Sequence, residues 1–423
     1  MHRRQSSAPS AICDRQHSVS LDTITFVATL TFEQARACVL AKVRAACPLP
    51  ATEEVSLFDA AGRVLAEPIA ADRDFPPVAR SVRDGFAVRA ADVPGELVVI
   101  GEVRAGEAFA ADLQPGQAVE IMTGAPMPRG SDSVVMIEHV TVSGGQVKVP
   151  RALPAGENVS PQASQARLGE VVLEPGRRLD FACIALIASF GRSRVLVFKR
   201  PHVAVLATGD EIVEVNETPL PYQVRNSNAE SLAIQVARAG GIPRILPVAR
   251  DLYDATRELV EHGLSLDMLL LSGGVSAGKY DLVEKVLDGL GAEFFFDRVL
   301  IMPGQPLVFG RAQNKFFFGL PGNPASTMVT FEIFARAALE LLSGQREPAL
   351  PFLWTRLARD FHQKTGLTRF FPARVSVDGS SVDPLPWQGS GDVPSLARAN
   401  AFLVTEPDRE TWTSGEWIQV LLK

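Results

Sequence analysis

Between about residues 195 and 345 the chain repeats one rhythm: a short apolar run, a turn rich in Gly, Pro or Asp, then an amphipathic stretch. The runs are HVAVLAT (202–208), RILPVA (244–249), DMLLLS (267–272) and KFFFGL (315–320). The amphipathic stretches include NAESLAIQVARAGG, LYDATRELVEHGL, YDLVEKVLDGLG and NPASTMVTFEIFARAALELLSG. Strands without polar alternation are buried on both faces, and strands that alternate with helices return parallel to one another. The pattern therefore predicts a three-layer α/β domain, a parallel sheet between two layers of helices. FACIALIASFG, an apolar helix closed by Gly191, is placed at its start, so the domain is drawn as 181–345.

A chain of 423 residues is too long for one core, and about three domains are expected. Residues 51–150 hold short β-branched pieces (ELVVIGEV, QAVEIM, SVVMIEHVTV) cut by Gly, Pro and Asp, which predicts a β-rich domain. TFEQARACVLAKVRAA (31–46) has a Thr/Glu start and helical spacing, and 151–180 is a Pro- and Gly-rich connector. Residues 30–50 and 151–180 are read together as a discontinuous helical/linker region. After GQREPAL the short strands return around Trp354, Trp387, Trp412 and Trp417, predicting a small C-terminal β-barrel or sandwich over 346–423. Residues 1–29 carry basic residues but no apolar signal core, and read as a disordered tail.

A net charge of -6 argues against nucleic acid as a partner, because neutralising phosphates takes clustered Lys and Arg. An anionic ligand must then be held by local groups or a metal. No apolar run reaches the length of a membrane span. Cys13, Cys38, Cys47 and Cys183 form no C-x-x-C pair, which supports neither zinc nor a disulfide framework and fits a reducing cytoplasm. The six histidines are dispersed.

Ligands of an open parallel sheet gather at the carboxyl ends of its strands. Three loops fall there: ATGDEI (207–212), SGGVSAGKYD (272–281) and LPGNPAS (320–326). Singly, each has a plain explanation: Gly273 and Gly274 make a turn, and Asp210 and Glu211 face solvent or cap a segment. Convergence of all three favours a site. In the third loop Asn323 suits an N-cap and Pro324 the first helical position, while Pro321 stiffens the approach and Gly322 admits close contact. That elbow is expected to present a helix N-terminus to an anion. GGVSAGK matches the G-x-x-x-x-G-K of a P-loop, but Tyr280 stands where Ser or Thr must bind magnesium, which disfavours an ATPase. By composition alone Asp84 in VRDGFAV starts a turn, and Thr123 in IMTGAPMPRGSDSVVMIE caps one.

Taken in order, these stretches resemble the molybdopterin molybdenumtransferase family, which includes the gephyrin C-terminal domain. The resemblance runs from about residue 30 to the end through LTFEQARACVLAKV, SLFDAAGRVLAEPI, DGFAVRA, IMTGAPMP, VVMIE, TGDE, SGGVSAGKYD, PGQP, LPGNP, QGSG, SLARAN and GEWIQVLL. It implies an elongated homodimer whose site lies between the α/β domain of one subunit and the β-rich domain of the other. The implied reaction inserts molybdate into adenylylated molybdopterin, releasing AMP, with Mg²⁺ as cofactor. Molybdopterin adenylyltransferase and molybdoenzymes are the implied partners.

Carried onto this chain, the catalytic positions are Asp84, Thr123, Glu211, Asp251 and Asp281, with Glu211 and Asp281 holding the metal. Arg83, Gly273, Gly274, Ser276, Lys279, Pro321, Gly322, Asn323 and Pro324 are the expected substrate contacts, and Thr123 is expected to donate to a phosphate or oxyanion. The chain departs from the family pattern at MPGQP, where Met302 and Gln305 replace two basic residues. Losing one charge-assisted hydrogen bond weakens anion affinity roughly 10- to 100-fold, with Arg83 and Lys279 expected to compensate. Asn158 replaces an acid in GEN. A pterin-binding or scaffold paralogue impaired in catalysis is the alternative reading. A nucleotide-handling enzyme of the molybdopterin-adenylylating type is disfavoured, because it lacks the β-rich domain.

Overall fold

The computed structural model describes residues 29–46, 49–274 and 282–423. The chain divides into two compact units: one contains Val197–Lys423, Gly62–Val64 and the chain up to Glu53, the other Glu54–Ala61 and Leu65–Leu196.

In the first unit the four expected strands are Ile242–Ile245, His202–Ala207, Met268–Ser272 and Lys315–Leu320, adjacent in that order and all parallel. Alternate residues along them face two cores. Val203, Val205, Leu270, Phe316 and Phe318 pack on Leu232, Val236, Val39 and Phe334; Ala204, Leu206, Leu269, Leu271 and Phe317 pack on Val260, Leu264, Val283 and Leu287. Burying each large side chain contributes roughly 1.5–3 kcal/mol, which is why the interior positions of the three central strands are apolar, while the neighbouring Ile242–Ile245 carries the exposed Arg244. Helices therefore cover both faces, giving the three layers.

The sheet is nevertheless mixed rather than wholly parallel. Pro306–Ala312 runs antiparallel to Lys315–Leu320, Glu293–Val299 antiparallel to Pro306–Ala312, and Thr29–Leu30 adds a parallel edge, making seven strands. Gln313 and Asn314, with φ of 50° and 63°, join Ala312 to Lys315. Two left-handed residues give the turn whose twist matches an antiparallel hairpin, and no helix intervenes to reverse the chain.

The helix Phe32–Ala46 buries Phe32, Ala35, Val39 and Val43 in the first unit, and the Phe32 ring lies 5.6 Å from Phe370 and 5.8 Å from Phe334. The 151–180 stretch is instead in the second unit, where Val159–Ser160 pairs with Arg80–Ser81 and Val171–Leu173 with Ile69–Ala70. The two halves of the expected discontinuous region thus belong to different units, and 151–180 holds no helix. Phe181–Ser189 is also in the second unit rather than the α/β one. Asp180 caps it, accepting from the Cys183 N–H at 2.8 Å, and Phe190 just beyond packs edge-on against Phe75.

Toward the C-terminus, Phe352–Leu357, Thr368–Val375, Ser381–Pro384, Ala401–Thr405 and Trp417–Leu422 close on themselves through pairing of Thr368–Val375 with Ala401–Thr405. The result is a five-stranded barrel, with Ile301–Met302 added parallel to Thr368–Val375 as a sixth strand. Trp412 fills the barrel core, whereas Trp354 and Trp417 are each 56% exposed.

The second unit centres on a six-stranded sheet in the order Ser133–Met136, Gly85–Val88, Gln117–Ile121, Gly95–Val103, Gln146–Val149, Thr141–Ser143. Phe86, Val88, Leu97 and Val147 form the core on one face; Ala87, Val119, Ile121 and Val134 form it on the other. Among the described residues no helix is long and apolar enough to cross a membrane.

Candidate functional site

At the carboxyl edge of the parallel strands the sheet's hydrogen bonding continues one residue into the loops. The Thr208 N–H donates to Ser272 O at 3.1 Å, Gly209 N–H to Ala249 O at 3.1 Å, and Gly273 N–H to Leu320 O at 3.2 Å. Four loops therefore leave the sheet side by side. Gly273 has φ +92°, and a Cβ there would stand 2.8 Å from Thr208 O; a Cβ on Gly322 would stand 3.5 Å from Gly273 Cα. The positive φ and the approach of the Thr208 carbonyl are why glycine occupies position 273, whereas a Cβ at 322 would meet only ordinary contact.

A residue not singled out in the sequence fastens this edge. Asn228 lies in the first turn of Ser227–Arg238, a helix capped by Asn226, whose side chain accepts from the Ala229 N–H at 3.2 Å. The Asn228 Nδ2 donates to Ser272 Oγ at 2.8 Å and to Gly322 O at 2.7 Å. Both of its donor hydrogens are committed, so its Oδ1 can only accept. That Oδ1 and the Thr208 Oγ1 are buried without a partner among the described residues. Buried polar atoms in a folded protein are paired, so two such atoms at one sheet edge mark bonding that the described residues leave incomplete. The signal in the sequence was the asparagine pair of NSNAES, of which only one member is the cap.

Glu211 is exposed and its carboxylate folds back over Gly209, where a Cβ would meet Oε2 at 2.4 Å. Asp251 is exposed on the neighbouring loop. The two loops are tied together: Asp251 N–H donates to Asp210 Oδ1 at 3.2 Å, and the Arg250 guanidinium donates to the carbonyls of Asp210 at 3.0 Å and Ile212 at 3.2 Å. Asp210 thus holds the loop while Glu211 and Asp251 face solvent. Ser276, Lys279 and Asp281 lie outside the described residues. Among the described residues no group of three or more His, Cys, Asp or Glu is placed to hold a metal. Mg²⁺ commonly takes only one or two carboxylates together with substrate phosphates, a donor set that Glu211 can begin.

The LPGNP elbow puts Asn323 at the N-cap and Pro324 in the first turn. Its helix end is less open than expected. The Asn323 side chain makes no cap bond, the Ala325 N–H donates to Ser390 O of the QGSG loop at 2.9 Å, and the Thr327 hydroxyl donates to Pro321 O. One of the end's free N–H groups is therefore occupied by main chain, and the exposed Asn323 amide is the group it leaves for a ligand.

In the second unit Asp84 Oδ1 accepts from both the Thr123 N–H, at 2.6 Å, and the Thr123 hydroxyl, at 2.7 Å. These two bonds favour the ionised carboxyl and hold it below the usual carboxylate range. With its hydroxyl proton on Asp84, Thr123 fixes the carboxylate in place of the expected donation to a phosphate or oxyanion. Gly85 follows in a strand so tightly flanked that a Cβ would lie 1.9 Å from Val135 O. Arg83 is exposed, its backbone held at both N–H and C=O by the Ser81 hydroxyl. Asn158, the departure in GEN, takes φ 57° and donates from Nδ2 to Val134 O at 2.9 Å, a conformation asparagine tolerates well.

Three family profiles match the chain in succession: "MoeA N-terminal region (domain I and II)" over 30–191, "Probable molybdopterin binding domain" over 204–341 and "MoeA C-terminal region (domain IV)" over 355–423. The chain is 35% identical over 385 residues to a molybdopterin molybdenumtransferase of Bacillus subtilis, a match covering 88% of this chain and 90% of that protein. It is 31% identical over 378 residues to one of Staphylococcus epidermidis, covering 87% and 90%. Among solved structures, a molybdopterin biosynthesis MoeA protein from Pyrococcus horikoshii superposes with a TM-score of 0.76 at 27% identity, covering 94% of this chain and all of that one.

Proposed function

The chain belongs to the MoeA family of molybdopterin molybdenumtransferases, and from that premise we propose that it inserts molybdate into the dithiolene of adenylylated molybdopterin and releases AMP. The observation that supports this reading is the open carboxyl edge: among the described residues Thr208 Oγ1 and Asn228 Oδ1 lack partners, beside exposed Glu211, Asp251 and Asn323. Two acceptors suit the N–H groups of a pterin. The carboxylates suit a hydrated divalent cation.

In this proposal Glu211, together with Asp281, holds Mg²⁺. Held there, such a cation would supply positive charge to offset the negative charge that grows as AMP leaves. Asn228, bonded to Ser272 and Gly322, fixes the loops, so that little reorganisation is needed on binding. Asp84, ionised and held by Thr123, acts from the β-rich unit of the partner subunit of a homodimer. A molybdopterin adenylyltransferase supplies the substrate and molybdoenzymes receive the product, in a reducing cytoplasm.

The test is AMP release from adenylylated molybdopterin by the purified chain with Mg²⁺, with and without molybdate. Molybdate-dependent release is expected. A second reading, a paralogue that binds the pterin but inserts metal poorly, draws on Met302 and Gln305; tight pterin binding with no molybdate-dependent release would decide for it.

A further inference from the structure

QGSG (388–391) and SLARAN (395–400) flank one carboxylate, that of Asp392, which the proposed chemistry leaves unused. Asp392 is the N-cap of the short helix Val393–Arg398, its Oδ1 accepting from the Ser395 N–H at 3.0 Å. A cap requires no more than that. The second oxygen is nevertheless engaged as fully as the first: Oδ2 accepts from the Gln388 N–H at 3.1 Å and from the Ser395 hydroxyl at 2.7 Å. The Asp392 N–H in turn donates to Gly389 O at 3.0 Å. Residue 392 thus closes the 388–392 loop through both its side chain and its main chain, and Gly389, at φ +115°, supplies the positive-φ step within it. The bonds to the two oxygens, from the Ser395 hydroxyl first and then from the Gln388 and Ser395 N–H groups, hold the carboxyl below the usual carboxylate range.

The closed loop is what meets the LPGNP elbow. Ser390, near its middle and half-buried, accepts from the Ala325 N–H at 2.9 Å. Ala325 follows Asn323 and Pro324 directly and is fully buried, and Leu396 of the short helix packs into the same core as Ala325 and Val329. Asn323 makes no side-chain cap bond, so the first turn of the elbow helix takes a main-chain acceptor from a loop more than sixty residues away in sequence. Where that acceptor stands depends on the shape of the loop that carries it.

We propose that Asp392 is a positioning residue for molybdenum transfer: its two carboxylate oxygens hold the 388–392 loop in the shape that sets Ser390 O on Ala325, and so fix the elbow that presents Asn323 to the substrate. Asp392 itself touches no reacting atom. The inference rests on the molybdenum-transfer reading for what Asn323 binds. Capping uses Oδ1 and loop closure uses Oδ2, so a side chain with a single acceptor keeps the helix and loses the loop.

Asp392→Asn and Asp392→Ser test this in the full-length chain. Both residues are good N-caps and keep an acceptor for the Ser395 N–H, which guards against the loss of the helix that Asp392→Ala would bring, but neither offers a second oxygen to the Gln388 N–H. By NMR on the chain carrying isotope-labelled alanine, the Ala325 amide hydrogen is expected to exchange about tenfold faster in both variants. KM for adenylylated molybdopterin is expected to rise about tenfold, with a smaller change in kcat. Exchange and KM both unchanged in the two variants would reduce Asp392 to a helix cap and overturn the inference, as would faster exchange with KM unmoved. If the unmodified chain shows no molybdate-dependent AMP release, the transfer reading falls instead, and exchange at Ala325 still decides whether Asp392 holds the elbow.

Discussion

The carboxyl edge of the α/β unit and the Asp84 loop of the β-rich unit are two halves of the proposed chemistry, built in opposite ways. At the edge, main-chain contacts set the geometry and the polar side chains are left open: Gly273 N–H bonds Leu320 O, Asn228 ties Ser272 to Gly322, and Thr208 Oγ1 and Asn228 Oδ1 have no partner among the described residues. On the Asp84 loop the functional group is itself already satisfied, with two donors from Thr123 on one carboxylate oxygen. The first region awaits a ligand to complete its bonding. The second has its charge state and orientation set in advance. Substitutions at the edge should therefore change binding together with chemistry, whereas substitutions on the loop should change the rate alone.

The largest effect is expected at Glu211. Glu211→Gln removes the charge that begins the cation site, and kcat should fall by about 100-fold or more while far-ultraviolet circular dichroism is unchanged. A loss of less than threefold would remove Glu211 from the chemistry.

Next comes Gly273→Ala, which forces a Cβ to 2.8 Å from Thr208 O at φ +92°. Backbone strain of this kind costs about 1–3 kcal/mol. Urea unfolding should show that loss, and KM should rise in parallel; an undisturbed KM would mean that the contact between the two turns is only packing.

Asn228→Ala leaves Ser272 Oγ and Gly322 O without their donor and should raise KM by about tenfold with a smaller effect on kcat. A change confined to kcat would reverse the proposed contrast between the two regions.

The smallest effect should belong to Thr123. Thr123→Ala keeps the backbone N–H bond but loses the hydroxyl, so the Asp84 pKa should climb back toward the ordinary carboxylate value, while Thr123→Ser restores the depression. The sign follows from the depressed folded value. The carboxylate's contribution to stability is full above the unfolded pKa and is lost as pH falls through the lower folded one. Carbon-detected NMR titration of Asp84 in the three chains reads this directly, and equal pKa values in all three would remove Thr123 as its anchor.

Three of the parallel strands were legible because burial on both faces leaves no polar alternation, whereas the fourth, Ile242–Ile245, is half exposed and begins before the expected run 244–249; the helix Phe32–Ala46 was legible because its buried residues follow helical spacing. The antiparallel half of the sheet was not legible. Gln313–Asn314 lacks the glycine that usually announces such a turn, and FFFDRV and PLVFG look locally like any other buried run. The affiliation of Phe181–Ser189 also escaped, since an apolar helix fits either unit equally well. Within the site, Glu211, Gly273 and Asn323 fall where strand ends predict, because chain direction places every carboxyl end at one edge; Asp251 came from the resemblance alone. Asn228 and Ser81 were missed: Asn228 stands in a helix's first turn, remote in sequence from Ser272 and Gly322, and Ser81 in a two-residue strand whose turn with Arg83 no residue pattern announces.

By itself the sequence determined which segments are buried, which way four strands run, and hence the edge at which the loops meet, since these follow from local periodicity and the handedness of crossover connections. Only the tertiary structure decided which polar atoms find partners. Whether the Thr123 hydroxyl donates to Asp84 and whether Asn228 reaches Ser272 and Gly322 depend on contacts between residues tens of positions apart, and pairing at hydrogen-bond distance has no local signature.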